Sequence, residues 1–374
     1  MTFKALILCL SLSAGCAAQT SDVYDNADAS EAWARLPEAV TNNAVAGAMV
    51  DGRMMAYSFT GLHEGKTWRD VTSDAYACDL EARECREING IPDGIGRLAS
   101  VAVNVGGQIY IFGGYTVAED GSEASTLEVW RFDPVTETYT MITTMPVPVD
   151  DTIALPFEDR YIYLVSGWHD TDNVDLVQVY DVEDDSWFDA TSFPGAPVFG
   201  HAGGMDSRGR ILICGGTAVI PPTEEGGRRS FEAIADCWMG QMNENIAAID
   251  WQQIEPVPGS PIYRSAGVRI NDHILFFGGS DNAYNFNGIG YDGMPSEPIR
   301  IARLWHGCGG IKGFLLAEFD IYPPLMDLRG GVHFDDSVYF LGGMLPGQRV
   351  TNRVYRLENI SERPLGEDCD PGWQ

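Results

Sequence analysis

Positive charge is what this sequence most lacks. Its 374 residues carry 24 Lys and Arg against 54 Asp and Glu, a formal net charge of −30. Nucleic-acid binding rests on a basic footprint, so a phosphate-backbone partner is excluded, and adhesion to an anionic lipid surface is disfavoured for the same reason. Long apolar runs are missing too: the N-terminal stretch Ala5–Leu12 is far too short to span a bilayer as a helix. There is no Cys-x-x-Cys to suggest zinc or dithiol chemistry. Neither Gly-x-Ser-x-Gly nor His-Glu-x-x-His occurs. Two glycine-rich runs fail as nucleotide motifs. Gly288-Ile289-Gly290-Tyr291-Asp292-Gly293 leads to Pro295 and Pro298 rather than a helix, and Gly61 to Thr67 is one residue short of a P-loop. No cofactor and no metal is expected.

What is present points to β-structure. Apolar residues make up 45% of the chain, enough for a core, and 42 Gly, 20 Pro, 16 Phe, 15 Tyr and 9 Trp suit short strands joined by turns rather than helices. At the N-terminus Lys4, the apolar run and the small residues Ser13 to Ala18 predict a signal peptide over residues 1–18. Ser13-Ala14-Gly15-Cys16 resembles the bacterial lipobox, which would make Cys16 a lipidated N-terminus attached to a membrane; ordinary cleavage after Ala18 is the alternative. Either route predicts an exported protein, in the periplasm, as an outer-membrane lipoprotein or secreted, with residues 19–30 as a linker. Export places Cys78, Cys85, Cys214, Cys237, Cys308 and Cys369 in an oxidising compartment, where an even number predicts disulfides.

An apolar run ending in a small-Gly pair recurs six times. Examples are Ile109-Tyr110-Ile111-Phe112-Gly113-Gly114, Ile162-Tyr163-Leu164-Val165-Ser166-Gly167 and Val338-Tyr339-Phe340-Leu341-Gly342-Gly343. The closing glycines stand at 61, 114, 167, 216, 279 and 343. That period, with a diglycine ending a hydrophobic strand, resembles the kelch repeat over nearly the whole mature chain. Downstream, Phe132-Asp133 with Tyr139, and Tyr180-Asp181 with Trp187, fall where kelch units have a third and a fourth strand. The resemblance implies four antiparallel strands per unit, stacked radially on their neighbours because one unit cannot bury both its faces.

The expected architecture is an all-β, six-bladed kelch β-propeller over residues 31–360, followed by a tail, 361–374. Arg353 to Glu358 reads as the third strand of the sixth unit with no fourth after it, while Trp33-Ala34-Arg35-Leu36-Pro37 precedes the first complete set. The N-terminal strand is therefore expected to complete the last blade and close the ring. The fifth unit is the weakest match, since Leu304-Trp305 departs from the aromatic-Asp pattern. In the first unit the paired aromatics are replaced by Cys78 and Cys85, which face each other across a hairpin and are expected to bond. Spacing does not decide the other pairs; Cys214–Cys237 with Cys308–Cys369 is the arrangement favoured.

Kelch domains often place arginines at the start of the innermost strand, pointing at a ligand. Arg97, Arg264 and Arg329 fall near that position, with Asp151 and His201 in the same slot of the third and fourth units. Converging guanidiniums would form an anion site in an otherwise acidic chain; pairing of each with a neighbouring carboxylate is the alternative. Two insertions lengthen the same rim. Ser280 to Pro298 carries Tyr284, Phe286 and Tyr291 among amides and carboxylates, which suits either sugar rings or a self-packed loop closing the channel. Thr217 to Ser230, with Glu224, Glu225, Arg228 and Arg229, reads as a solvated lid.

Two functions follow. The first is a monomeric, non-catalytic binding module that recognises a glycan or an envelope protein at the channel mouth. The second is an enzyme resembling the exported kelch sialic-acid mutarotases, in which Arg264 and Arg329 hold the substrate carboxylate and Asp151 or Glu224 moves the proton. Galactose oxidase shares the kelch architecture, but its radical-copper site needs a Tyr-His pair that this sequence lacks. The absence of any catalytic signature favours the binding module.

Overall fold

The computed structural model describes residues 32–222, 224, 227–300, 302–306, 314–316, 323–358 and 360. The expected signal peptide with Cys16, the expected linker, Cys308, Cys369 and the expected C-terminal tail lie outside them. The described residues are all-β apart from one 3-10 turn at Trp68–Asp70.

Six four-stranded antiparallel sheets follow one another along the chain. The first contains Ala44–Val50, Arg53–Leu62, Val71–Asp79 and Glu84–Ile88; the second Val101–Val105, Gln108–Phe112, Glu128–Asp133 and Thr138–Thr144. The third contains Ile153–Phe157, Tyr161–Val165, Val177–Asp181 and Ser186–Asp189; the fourth Ala202–Met205, Arg210–Cys214, Cys237–Met242 and Ile249–Ile254. The fifth contains Ala266–Ile270, His273–Phe277, Ala302–His306 and Phe314–Leu316. In the sixth, Val332–Phe334, Ser337–Leu341 and Arg353–Glu358 are joined by Ala34–Arg35 from the other end of the chain. The inner strand of each sheet touches that of the next, and Val332–Phe334 touches Ala44–Val50.

Burial explains why the second strands are almost wholly apolar. Gln108–Phe112, Tyr161–Val165 and Arg210–Cys214 are buried at four of five positions, because a sheet packs on each of their faces. The outer strand Thr138–Thr144 has no fully buried residue and reads polar accordingly. Between the sheets lie separate apolar clusters, such as Ile109, Phe132 and Tyr57 between the first and second, and Tyr76, Tyr339 and Val354 between the sixth and first. The Gly pair lets neighbouring sheets approach. Gly113 (φ +55°) and Gly114 (φ +93°) are left-handed, and a Cβ on Gly113 would meet the Val149 carbonyl at 2.1 Å.

Cross-strand register follows the seven-residue spacing: Phe132 faces Tyr139, Tyr180 faces Trp187, and Cys78 faces Cys85. Cys78 and Cys85 are disulfide-bonded, as are Cys214 and Cys237, which are neighbours across the second and third strands of the fourth sheet. The fifth sheet keeps the common pairing despite its divergent sequence: Trp305 faces Ile274 and is fully buried. At the N-terminus Ala34 pairs with Val354, the Trp33 indole donates to the Leu80 carbonyl (3.0 Å), and the Arg356 guanidinium lies 4.3 Å over the indole.

Candidate functional site

The site grows out of a backbone feature repeated in every sheet. The residue after each Gly pair bridges to a residue just ahead of the inner strand: Leu62 to Thr41, Tyr115 to Leu98, Trp168 to Asp150, Thr217 to Phe199, Ser280 to Tyr263 and Met344 to Met326. The next residue in each case is left-handed: Asn42 (φ 58°), Ala99 (56°), Asp151 (49°), Gly200 (64°), Arg264 (52°) and Asp327 (63°). That turn aims each amide at the preceding sheet. Asn42 N donates to Asp327 O, Ala99 N to Asn42 O, Asp151 N to Ala99 O, Gly200 N to Asp151 O, and Arg264 N to Gly200 O; Leu328 N donates to Arg264 O. A belt of main chain thus runs from sheet to sheet and back to its start.

Side chains of the belt fill its centre. Arg264 donates to Asp151 Oδ2 (2.6 Å) and Asp327 Oδ1 (3.3 Å), while Arg329, two residues beyond the belt, lies 2.7 Å from Asp151 Oδ1 and donates to Asn42 Oδ1 (2.7 Å). Thr41 Oγ1 donates to Asp327 Oδ2 (2.8 Å). All four charged side chains are 3% exposed or less, so two guanidiniums and two carboxylates cancel out of solvent. Burial works against the Arg264 charge, but Asp151, Tyr263, Asp327 and Tyr115 outweigh it and hold the group well above its ordinary range. Asp150 makes no such ion pair, and Arg264 only partly offsets its burial. Desolvation, with the Asp151 charge next to it, raises its carboxyl well above the usual range, and Ser125 Oγ sits 2.6 Å from its Oδ2. A carboxyl held well above its usual range therefore adjoins an ion-paired carboxylate.

On the loop side of this plug lies a pocket of about 130 Å³. Asp150, Asp151 and Arg264 form its floor, and Tyr115, Trp168, Phe199, Phe231, Phe286 and Tyr291 its walls. Phe231, just past the 217–230 insertion, stacks on Tyr291 of the other insertion at 4.1 Å, and Arg229 lies 5.0 Å over Trp168. Glu123 stands at the edge, exposed as a residue, yet its carboxyl is raised by desolvation against the pocket wall. On the opposite side a channel of about 290 Å³ runs between the inner strands.

Comparison with known proteins agrees with this architecture. A profile of the kelch motif matches residues 96–146. Kelch-like protein 15 of Gallus gallus is 25% identical over 152 residues, covering 37% of this chain and 30% of the relative. Kelch-like protein 36 of Bos taurus is 23% identical over 293 residues, covering 75% of this chain and 43% of the relative. The chain therefore spans less than half the length of these curated relatives. The solved structure of YjhT superposes with a TM-score of 0.65 at 15% identity, covering 87% of this chain and 99% of that one. The chain carries a kelch motif and is similar to kelch-repeat proteins.

The belt sets where each expected site residue falls. The repeated slot holds Asn42, Ala99, Asp151, Gly200, Arg264 and Asp327, so Arg97 falls two residues before it and His201 one after. Arg97 does not join the other arginines; it is buried and pairs with Asp93. Arg264 and Arg329 do meet, but as partners of Asp151 and Asp327 rather than as free anion donors. Tyr284 is fully buried, its ring 5.2 Å beneath the Arg264 guanidinium, and so faces the plug instead of a ligand. Glu224 is exposed on the lid loop and is not among the residues lining the pocket. Phe286 and Tyr291 line the rim pocket, His201 the channel, and Asp151 both. Sequence reasoning missed Asp150, Glu123, Trp168, Phe199 and Phe231. The first, third and fourth were open to it, since each is a bridging residue next to a Gly pair or an inner strand.

Proposed function

We propose that the protein is an exported, monomeric six-bladed kelch propeller, closed by its N-terminal strand, that binds a small glycan-type ligand in the rim pocket. The unbroken belt of main-chain hydrogen bonds and the pairing of Ala34–Arg35 into the sixth sheet support six blades and closure. One observation carries the ligand class: six aromatic residues wall a polar floor in a space sized for a single ring. Sugar rings offer apolar C–H faces edged by hydroxyls, and such walls and floor match both parts. Saturation-transfer NMR on the mature chain with neutral, amino and acidic monosaccharides tests this. Binding by at least one of them, weakened about tenfold in Tyr291→Ala and Phe286→Ala, is expected. No binding by any sugar would leave the rim to a protein partner. For export, Cys16→Ala should release a membrane-held protein into the soluble fraction if lipidation occurs.

A second reading rests on Asp150 and Asp151. A carboxyl with a strongly raised pKa beside one ion-paired to two arginines is the arrangement a proton relay at an anomeric centre requires, which favours the mutarotase-like alternative. In that version Asp150 gives the proton and Asp151 stays paired with the two arginines. Anomer exchange followed by NMR, fast with the native chain and slow with Asp150→Asn, would establish it; equal rates would remove it.

A further inference from the structure

The channel on the far side of the belt has features that the rim pocket does not explain. The residue after each belt position stands ahead of the inner strand. In four sheets that residue ties its side chain to the carbonyl ending a second strand: Asn43 to Leu341, Ser100 to Gly113, Thr152 to Val165 and Ser265 to Phe277. The fourth sheet has His201 in this slot. It is only 4% exposed and lines the channel, and neither ring nitrogen makes a well-formed hydrogen bond, although the Val165 carbonyl is near. Arg329, which lines the same floor, leaves its Nε–H without an acceptor. Two buried polar groups facing one cavity without partners are costly to keep, at about 1–3 kcal/mol each.

Charge around the channel narrows what could pair with them. Asp151 at the floor is engaged by both arginines, so no free carboxylate awaits a cation. At the other end, the hairpin turns that follow the inner strands carry Asp51, Glu158, Asp159, Asp335 and Asp336, which repel anions from the mouth. Burial holds the His201 imidazole down to about 4, against the opposing pull of Val165 and Asp151, so it meets a ligand as a neutral donor or acceptor.

We propose that the channel is a second binding site, separate from the rim pocket, for a small uncharged polyhydroxy compound. One hydroxyl oxygen accepts from Arg329 Nε–H and another hydroxyl pairs with His201. The inner strands turn their unpaired edges toward this space, and their main-chain groups supply further donors and acceptors for hydroxyls.

The test follows imidazole ¹⁵N signals of the mature protein during titration with glucose, myo-inositol, glucuronate and glucosamine, His201 being assigned by its loss in His201→Gln. An uncharged compound should shift the His201 signals saturably, and the two charged sugars should bind at least about tenfold more weakly. Asn104→Trp, which fills the mouth without touching the belt, should abolish the shift, while Phe286→Ala in the rim pocket should keep it. The proposal fails if no uncharged compound moves His201, if charged and uncharged sugars do so equally, or if the shift survives Asn104→Trp and disappears in Phe286→Ala. That last result would move the ligand to the rim and leave the rim reading intact.

Discussion

At the residue scale, the belt places ordinary side chains in a conformation that suits glycine. Asn and Asp tolerate left-handed backbone well, which accounts for Asn42, Asp151 and Asp327, and Gly200 needs no account. Ala99 (φ 56°) has neither excuse. Ala99→Gly should therefore stabilise the protein by about 1 kcal/mol in urea unfolding, against the usual cost of a glycine, because it relieves strain in the native state. Arg264 shares the conformation but carries charge the plug needs. Asp151→Ala should be the opposite case: it leaves Arg264 and Arg329 buried with Asp327 alone, and a loss of about 3–5 kcal/mol is expected by the same measurement. A loss below about 1 kcal/mol would mean that solvent reaches the plug.

At the element scale, the N-terminal strand is short but heavily anchored. Ala34–Arg35 offers only two paired residues, so its hold comes from Trp33, which donates to Leu80, packs edge-on against Tyr339 at 6.0 Å and lies under Arg356 and Arg83. Leu80 belongs to the turn of the first sheet and Tyr339 to the sixth, so one indole joins the two ends of the array. Trp33→Ala should cost about 2–3 kcal/mol, less than a fully buried Trp because the residue is half-buried. If the strand closes the molecule, hydrogen exchange in this variant should speed up in both the first and the sixth sheets, and in no other; a change confined to the sixth would show that the strand only covers an edge.

At the scale of the whole molecule, stability should depend on pH through groups that the net charge alone does not reveal. The His201 ring titrates near 4 in the folded protein, against about 6.5 when unfolded, so between those values the unfolded chain binds the extra proton. Folded stability is complete above pH 6.5 and falls as the pH drops toward 4. Asp150 has the reverse sign: its raised carboxyl pKa stabilises the fold at low pH and is lost as the pH rises through it. Moving from pH 7 to 4.5, His201→Gln should lose about 2–3 kcal/mol less than the native chain. Urea midpoints at the two pH values measure this. Equal losses would mean that His201 is solvated in the folded state.

The sequence by itself determined the repeat, because six apolar runs each closed by a small-Gly pair can be buried on both faces only by stacking unit on unit. It also determined the facing of Cys78 with Cys85, since register across a tight hairpin is a local matter. The fifth sheet shows that the repeat tolerates local departure: Trp305 takes its place through burial between neighbours, without the aromatic-Asp signature. What only the tertiary structure decided is the meaning of the arginines. Arg97, Arg264 and Arg329 look alike along the chain, but an offset of two residues from the belt gives Arg97 to Asp93 and keeps Arg329 within reach of the plug. Charge pairing between sheets joins residues more than one hundred positions apart, such as Asp151 and Arg264. Such pairing depends on where six backbones meet, which no periodicity in the chain records.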